Sequence, residues 1–195
     1  MLRIMLVDES PERSSERNLG LRLTLEGLGH RLVAEISDPQ MLWGQVKQHD
    51  PGILIVVADT PSQDTLEALY VISTSCPRPI VMFTRDAQRD SIREAVRAGV
   101  SAYVVDGFAP ERVAPIIEAA LARFEALQSI QAELAQTKNK LSERKLIDRA
   151  KGILMKEKKL SEEEAYRLLR KLAMDRSAPL GTVSEQVITY AKLLG

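Results

Sequence analysis

Ile53-Leu54-Ile55-Val56-Val57-Ala58, closed by Asp59-Thr60-Pro61, is the stretch on which the fold turns. Six apolar residues, mostly β-branched and without polar alternation, suit a strand buried on both faces. The same reading fits Ile4–Val7, Leu32–Ile36, Ile80–Thr84 and Ala102–Val105. Between these runs, residues 13–28, 39–49, 62–75 and 87–98 show helical spacing and polar faces. Gly27 and Gly29 fall near the end of the first helix, and Gly99 follows Ala98 at a helix C′ position. Strand and helix alternating at this spacing argue for βαβ units and a parallel sheet. The expected fold is α/β: a flavodoxin-like, five-stranded, doubly wound parallel sheet over residues 1–122. Functional groups in such folds gather at the carboxyl ends of the strands.

Downstream, a fifth helix is predicted to start near Pro110, where the first turn tolerates a missing N–H. From Ile117 to Gly152 no other glycine or proline interrupts it. Leu127, Ile130, Leu134, Thr137 and Leu141 recur at spacings of 3 and 4, the a/d seam of a coiled coil with one polar position. Residues 123–143 are expected to join two chains as a homodimer; a long amphipathic helix packed on its neighbour is the alternative. Past Lys145 the pattern changes. Leu146, Ile147, Ala150, Ile153 and Leu154 form an apolar stripe. Ser161 and Glu164 have capping-box spacing, with Leu160 before them. Ala165, Leu168, Leu169, Leu172 and Ala173 mark a second helix stopped by Pro179, and Val183, Val187, Ile188, Tyr190 and Ala191 a third. Residues 144–195 therefore read as a small three-helix bundle, too small for an enzyme cleft.

Composition adds constraints. A net charge of zero conceals 12 Lys/Arg against 17 Asp/Glu in residues 1–122, 3 against 3 in 123–143, and 12 against 7 in 144–195. An acidic half and a basic tail suggest a control module and an anion-binding one, although a solvated helix surface gives the same count. Cys76 is the single cysteine, and no apolar stretch reaches 18 residues. A cytoplasmic location is expected. His30 and His49 lack a partner motif and no Gly-rich phosphate loop appears, which makes an enzyme the least favoured class.

Asp8-Glu9 after the first strand, Thr84 closing the fourth, and Ala98-Gly99-Val100 leading into Tyr103-Val104-Val105 together resemble the receiver domains of two-component response regulators. The resemblance implies a pocket of Asp8, Glu9 and Thr84, with a phosphate-accepting aspartate four residues before Pro61. That position is Val57, and the nearest substitute is Asp59. Where the family places a lysine after Tyr103-Val104-Val105, this chain has Asp106, an anion that repels phosphate. No phosphoacceptor is expected, and a pseudo-receiver switched by protein contact is. Asp8 and Glu9 are either the remnant of a magnesium site or, as favoured here, solvated carboxylates at strand ends; no metal or other cofactor is expected.

Ala150-Lys151-Gly152-Ile153-Leu154-Met155, Ser161-Glu162-Glu163-Glu164-Ala165 and Ala173-Met174-Asp175-Arg176 resemble the ANTAR RNA-binding domain of transcription antiterminators, over about residues 141–194. Pro61-Ser62-Gln63-Asp64-Thr65-Leu66-Glu67 and Ala102-Tyr103-Val104-Val105-Asp106-Gly107 are similar to the nitrate-assimilation (NasT-like) subfamily, with amide-responsive members more distant. The resemblance implies a partner RNA, a paired stem-loop in a nascent leader whose capture prevents terminator formation. It also implies control by an inhibitory, nitrate- or nitrite-sensing NasS-like protein. Candidate phosphate contacts are Arg144, Lys145, Arg149, Lys151 and Lys156, with Arg170 and Arg176 beyond them. Lys145, Arg149 and Lys156 share a helix face. Gly152 reads either as a point of close RNA approach or, preferred, as a helix-crossing position. Tyr166 and Met155 read as core or interface rather than base-stacking residues. A DNA-binding helix-turn-helix regulator and a purely protein-binding module are the competing classes.

Overall fold

The computed structural model describes the backbone of residues 1–9, 11–105 and 109–194, and their side chains apart from those of 11–18 and 192–194. Two compact units emerge, Met1–Gln128 and Ser129–Gly195.

In the first unit, strands β1 (Arg3–Asp8), β2 (Arg31–Ile36), β3 (Ile53–Ala58), β4 (Ile80–Thr84) and β5 (Ala102–Val105) form one parallel sheet in the order β2-β1-β3-β4-β5. Helices α1 (Pro11–Gly27), α2 (Leu42–His49), α3 (Gln63–Ser75) and α4 (Arg89–Arg97) connect them, with a short 3-10 turn at Pro39–Met41. β3 and β4 are buried at every residue and β1 from Ile4 onward, as expected for strands covered on both faces. β2 and β5 were expected to be equally buried; they lie at the sheet edges and are mostly half-buried.

Strand alternation divides the core in two. Met5, Val7, Leu54, Val56, Ile80 and Met82 pack with residues of α2, α3 and α4. Ile4, Leu6, Ile55, Val57, Val81 and Phe83 pack on the opposite face with Leu21 and Leu25 of α1 and with Val113 and Ile117. Gly99 follows α4 at φ +95°, and a Cβ there would lie 2.3 Å from Ser73 Cβ. Only glycine both takes that backbone conformation and lets the end of α4 close on α3.

Helix α5 runs from Pro110 to Lys158, 49 residues that continue from the first unit into the second. It passes through Leu127, Ile130, Leu134 and Leu141, each more than half exposed. The second unit is completed by α6 (Glu162–Asp175) and α7 (Leu180–Leu194). The tail's first helix is thus the end of α5 rather than a separate element. Ala150, Leu154, Ala165, Leu169, Ala173, Val183 and Ile188 form its core. α6 starts with the predicted capping box: Ser161 Oγ accepts from Glu164 N–H, and the Glu164 carboxylate accepts from Ser161 N–H at 2.8 Å. Glu143 on α5 accepts the Gly181 N–H at the start of α7, 3.3 Å away.

Candidate functional site

The carboxyl ends of β1 and β3 meet where the strand order reverses, the usual ligand position in such sheets. Asp8 lies opposite Val57 there. Val57 is 2% exposed and packs in the apolar cluster with Ile55 and Phe83. An isopropyl group at this position has no oxygen to accept a phosphoryl group. Asp8, expected as a solvated carboxylate, is instead only 3% exposed, because β1 is an interior strand with a neighbour on each side. The Glu9 carboxylate turns to the start of α3 and accepts from the Ser62 N–H at 3.1 Å and the Ser62 hydroxyl at 2.6 Å. Ser62 Oγ in turn accepts from Thr65 N–H, capping α3. Glu9 therefore complements a helix N-terminus. Among the described residues no three His, Cys, Asp or Glu side chains converge as a metal site.

Asp59 lies one residue beyond β3. Its carboxylate is 3.5 Å from Arg85 Nε, and its carbonyl accepts from Arg85 N–H and from the Thr84 hydroxyl at 2.9 Å. Thr84 Oγ1, fully buried, also accepts from Asp86 N–H at 3.0 Å. Tyr103 donates its hydroxyl to the Asp86 carbonyl at 2.8 Å. Burial pushes the Tyr103 phenol up, opposed by its contact with Thr84 and aided by the Asp86 charge. Asp59, Thr60, Arg85, Asp86, Ala87 and Gln88 line an open cavity of about 580 Å³. Asp59 thus faces a guanidinium from its own chain. Arg85 went unnoticed in the sequence, where only its position directly after Thr84 pointed to it. Asp106, the fourth predicted pocket residue, lies outside the described residues.

The basic tail is built differently. Ala150 and Leu154 turn α5 inward, which leaves Arg144, Lys145, Arg149, Gly152 and Lys156 exposed. Lys145, Arg149, Gly152 and Lys156 follow one another at spacings of 4, 3 and 4, a single helix face. Among the described residues none of the three cations in this row makes an ion pair. Lys151 sits elsewhere. Its ammonium is 2.8 Å from Asp148 and 2.7 Å from Glu162, and the side chain is only 15% exposed. Those partners raise the Lys151 pKa, Asp148 first and then Glu162. Lys151 therefore ties α5 to the start of α6. Gly152 is exposed, and an added Cβ would meet nothing within 4 Å, so it is not the helix-crossing position expected. Ala150 and Ala165, both fully buried, lie in the apolar core of the second unit.

Arg170 is exposed on α6, and Arg176, just past its end, donates to Gln186 Oε1 of α7 at 2.7 Å. Tyr166 is 42% and Met155 38% exposed and neither belongs to the apolar core, which leaves the interface half of the expected core-or-interface role. Tyr190, grouped with the apolar face of the third helix in the sequence, is 63% exposed.

Residues 135–188 match the ANTAR domain family. The chain is 32% identical over 160 residues to the transcriptional regulatory protein PdtaR of Mycobacterium tuberculosis, covering 82% of this chain and 78% of that protein. It is 39% identical over 67 residues to a nitrate regulatory protein of Klebsiella oxytoca, a match that spans only 17% of that protein. Its first unit shares its fold with the signal receiver domain of a modulated diguanylate cyclase from Desulfovibrio desulfuricans, with a TM-score of 0.56 over 65% of this chain and 98% of the other, at 18% identity.

Proposed function

The chain belongs to the ANTAR-domain response regulators, and from that premise we propose that it is an RNA-binding antiterminator. It captures a stem-loop in a nascent leader RNA, the overlapping terminator hairpin does not form, and polymerase reads through. One observation carries the proposal: the exposed row Lys145, Arg149, Gly152 and Lys156, whose cations have no ion-pair partner among the described residues. Phosphates supply salt-dependent affinity to cations left free in this way. Arg144 flanks the row, and Arg170 and Arg176 extend the basic character onto α6 and its C-terminus. Lys151, held by Asp148 and Glu162, does not contact RNA directly.

Gly152 strengthens the reading. A glycine inside an exposed helix costs about 1 kcal/mol relative to alanine. No packing contact repays that cost, since the space beside it is open. A bare backbone between two cations admits a sugar-phosphate chain more closely than any side chain would.

Control is assigned to a partner protein rather than to phosphoryl transfer. Val57 supports this, as does the Asp59 carboxylate beside Arg85. The likeness to a nitrate regulatory protein supports nitrate or nitrite assimilation genes as the target and a nitrate- or nitrite-sensing protein as the inhibitor. Exposed Leu127, Ile130, Leu134 and Leu141 on α5 support a coiled-coil homodimer. The chain then acts as a cytoplasmic regulator, not an enzyme, and among the described residues no helix is long and apolar enough to cross a membrane.

A gel shift at two salt concentrations tests the proposal. It compares an RNA carrying two stem-loops, the same RNA with scrambled loops, and duplex DNA of equal length. Preference for intact loops is the expected result. Equal, weak binding to all three that vanishes at moderate salt would refute RNA recognition, and tight duplex binding would make the chain a DNA-binding regulator.

A further inference from the structure

Helix α6 carries its charges in two blocks. Its first turn holds Glu162, Glu163 and Glu164. Each is engaged: Glu162 with Lys151, Glu163 with Arg167, and Glu164 in the capping box. From Tyr166 onward the helix and its cap hold Arg167, Arg170, Lys171 and Arg176 against the single acid Asp175. Among the described residues Arg170 and Lys171 make no ion pair.

Set among these cations are two large apolar side chains that the core does not use. Tyr166 is 42% exposed and Met174 71%. Tyr166, Arg170 and Met174 are spaced i, i+4, i+8, one line along the helix beside the buried row Ala165, Leu169 and Ala173. Core packing thus fixes the backbone beneath the line while leaving its side chains outside. A lone exposed methionine is unremarkable. An aromatic ring, a free guanidinium and a thioether in register, amid an excess of positive charge, are a different matter. The ring and the guanidinium plane both stack on unpaired bases, and the surrounding cations hold the phosphates between those bases.

We infer that the Tyr166–Arg170–Met174 line of α6 receives the unpaired loop bases of the bound RNA, with Tyr166 as the stacking platform. The inference rests on the RNA-binding reading above and divides its labour: the α5 row grips phosphate irrespective of sequence, and the α6 line distinguishes one loop from another. A protein partner would also use tyrosine, arginine and methionine. The charge excess of residues 166–176 favours a polyanion instead.

The test uses the full-length protein and hairpin RNAs with a fixed stem and a randomised loop. Wild-type protein first selects its preferred loop from that pool. Affinity is then measured for the selected hairpin and for the same hairpin with abasic loop nucleotides. Tyr166→Ala is expected to weaken binding of the selected hairpin by about 5- to 100-fold for loss of a stacking contact, and Met174→Ala to weaken it by a smaller factor for loss of the thioether contact. Binding of the abasic hairpin should stay as in wild type, and Tyr166→Phe should keep most of the affinity. Because variants can misfold, 5-bromouridine placed in the loop provides a second measurement on unaltered protein, with photocrosslinks expected at Tyr166 or Met174. Unchanged affinity in both alanine variants, with crosslinks elsewhere, would overturn the assignment while leaving RNA binding intact. Binding to the hairpin pool with no loop preferred would likewise overturn the assignment, whereas failure of the wild-type protein to bind any hairpin of the pool would remove the RNA reading itself.

Discussion

Replacing Gly152 with alanine separates folding from function at one atom. The added Cβ meets no atom within 4 Å, so no packing penalty opposes the substitution. The residue is helical and exposed, within the stretch of α5 that belongs to the second unit. The gain is therefore the helix-propensity difference alone, about 1 kcal/mol in favour of alanine. In native-state hydrogen exchange followed by mass spectrometry, amides of 146–158 that open locally should exchange about fivefold more slowly. RNA binding should move the other way. If a sugar-phosphate chain lies against the bare backbone between Arg149 and Lys156, a methyl group holds it off, and affinity should fall by tenfold or more, on the order of 1.4 kcal/mol. Slower exchange with unchanged RNA affinity would refute the close-approach role of Gly152. Faster exchange would refute the exposed, unstrained helix on which the calculation depends.

Removing Arg149 and Lys156 together should lower the slope of log affinity against log salt by about 1.4–1.8, two phosphate contacts' worth; an unchanged slope would show that this face does not meet RNA. Gly99→Ala imposes both the +95° φ and the approach to Ser73 on a residue with a Cβ. It should destabilise the first unit by about 2–4 kcal/mol, read as a lower urea midpoint in the fluorescence of Trp43, the only tryptophan. Leu134→Asp places a charge in the exposed seam of α5, and the dimer expected at micromolar concentration should sediment as a monomer. Finally, hydrogen bonding to Lys151 holds the Asp148 carboxyl below its usual value, and hydrogen bonds from Ser161 do the same for Glu164. Groups with lowered pKa contribute stability above their unfolded values and lose it as pH falls through the folded ones. Lys151, raised, contributes below its unfolded value and loses that contribution only as pH rises through its folded one. The tail should therefore hold its stability through neutral pH and weaken toward strong acid, with Lys151→Met flattening the acid side of a thermal-unfolding profile.

Much of this protein was legible in its sequence, where local chemistry dictates structure. Apolar, β-branched runs at regular intervals favour strands, so the parallel sheet followed from Ile53–Ala58 and its counterparts, although the edge strands β2 and β5 are mostly half-buried. Ser161 and Glu164 specify a helix start from four residues alone, and the capping box is present. The substitution at Val57 was equally readable, because a missing carboxylate needs no coordinates. Tertiary structure decided what depends on residues distant in the chain. Lys151 resembles its basic neighbours until Asp148 and Glu162 are seen to enclose it, the second across a turn between helices. Glu9 resembles a metal ligand until Ser62, 53 residues away, takes its carboxylate. Asp8 was buried by strands on both sides, and Gly152 was released to solvent by the way Ala150 and Leu154 turn α5. Periodicity states that a helix has an apolar face. It does not fix where that face ends, and at Tyr166, Met174 and Tyr190 only the packed neighbours determined which large side chains remain outside.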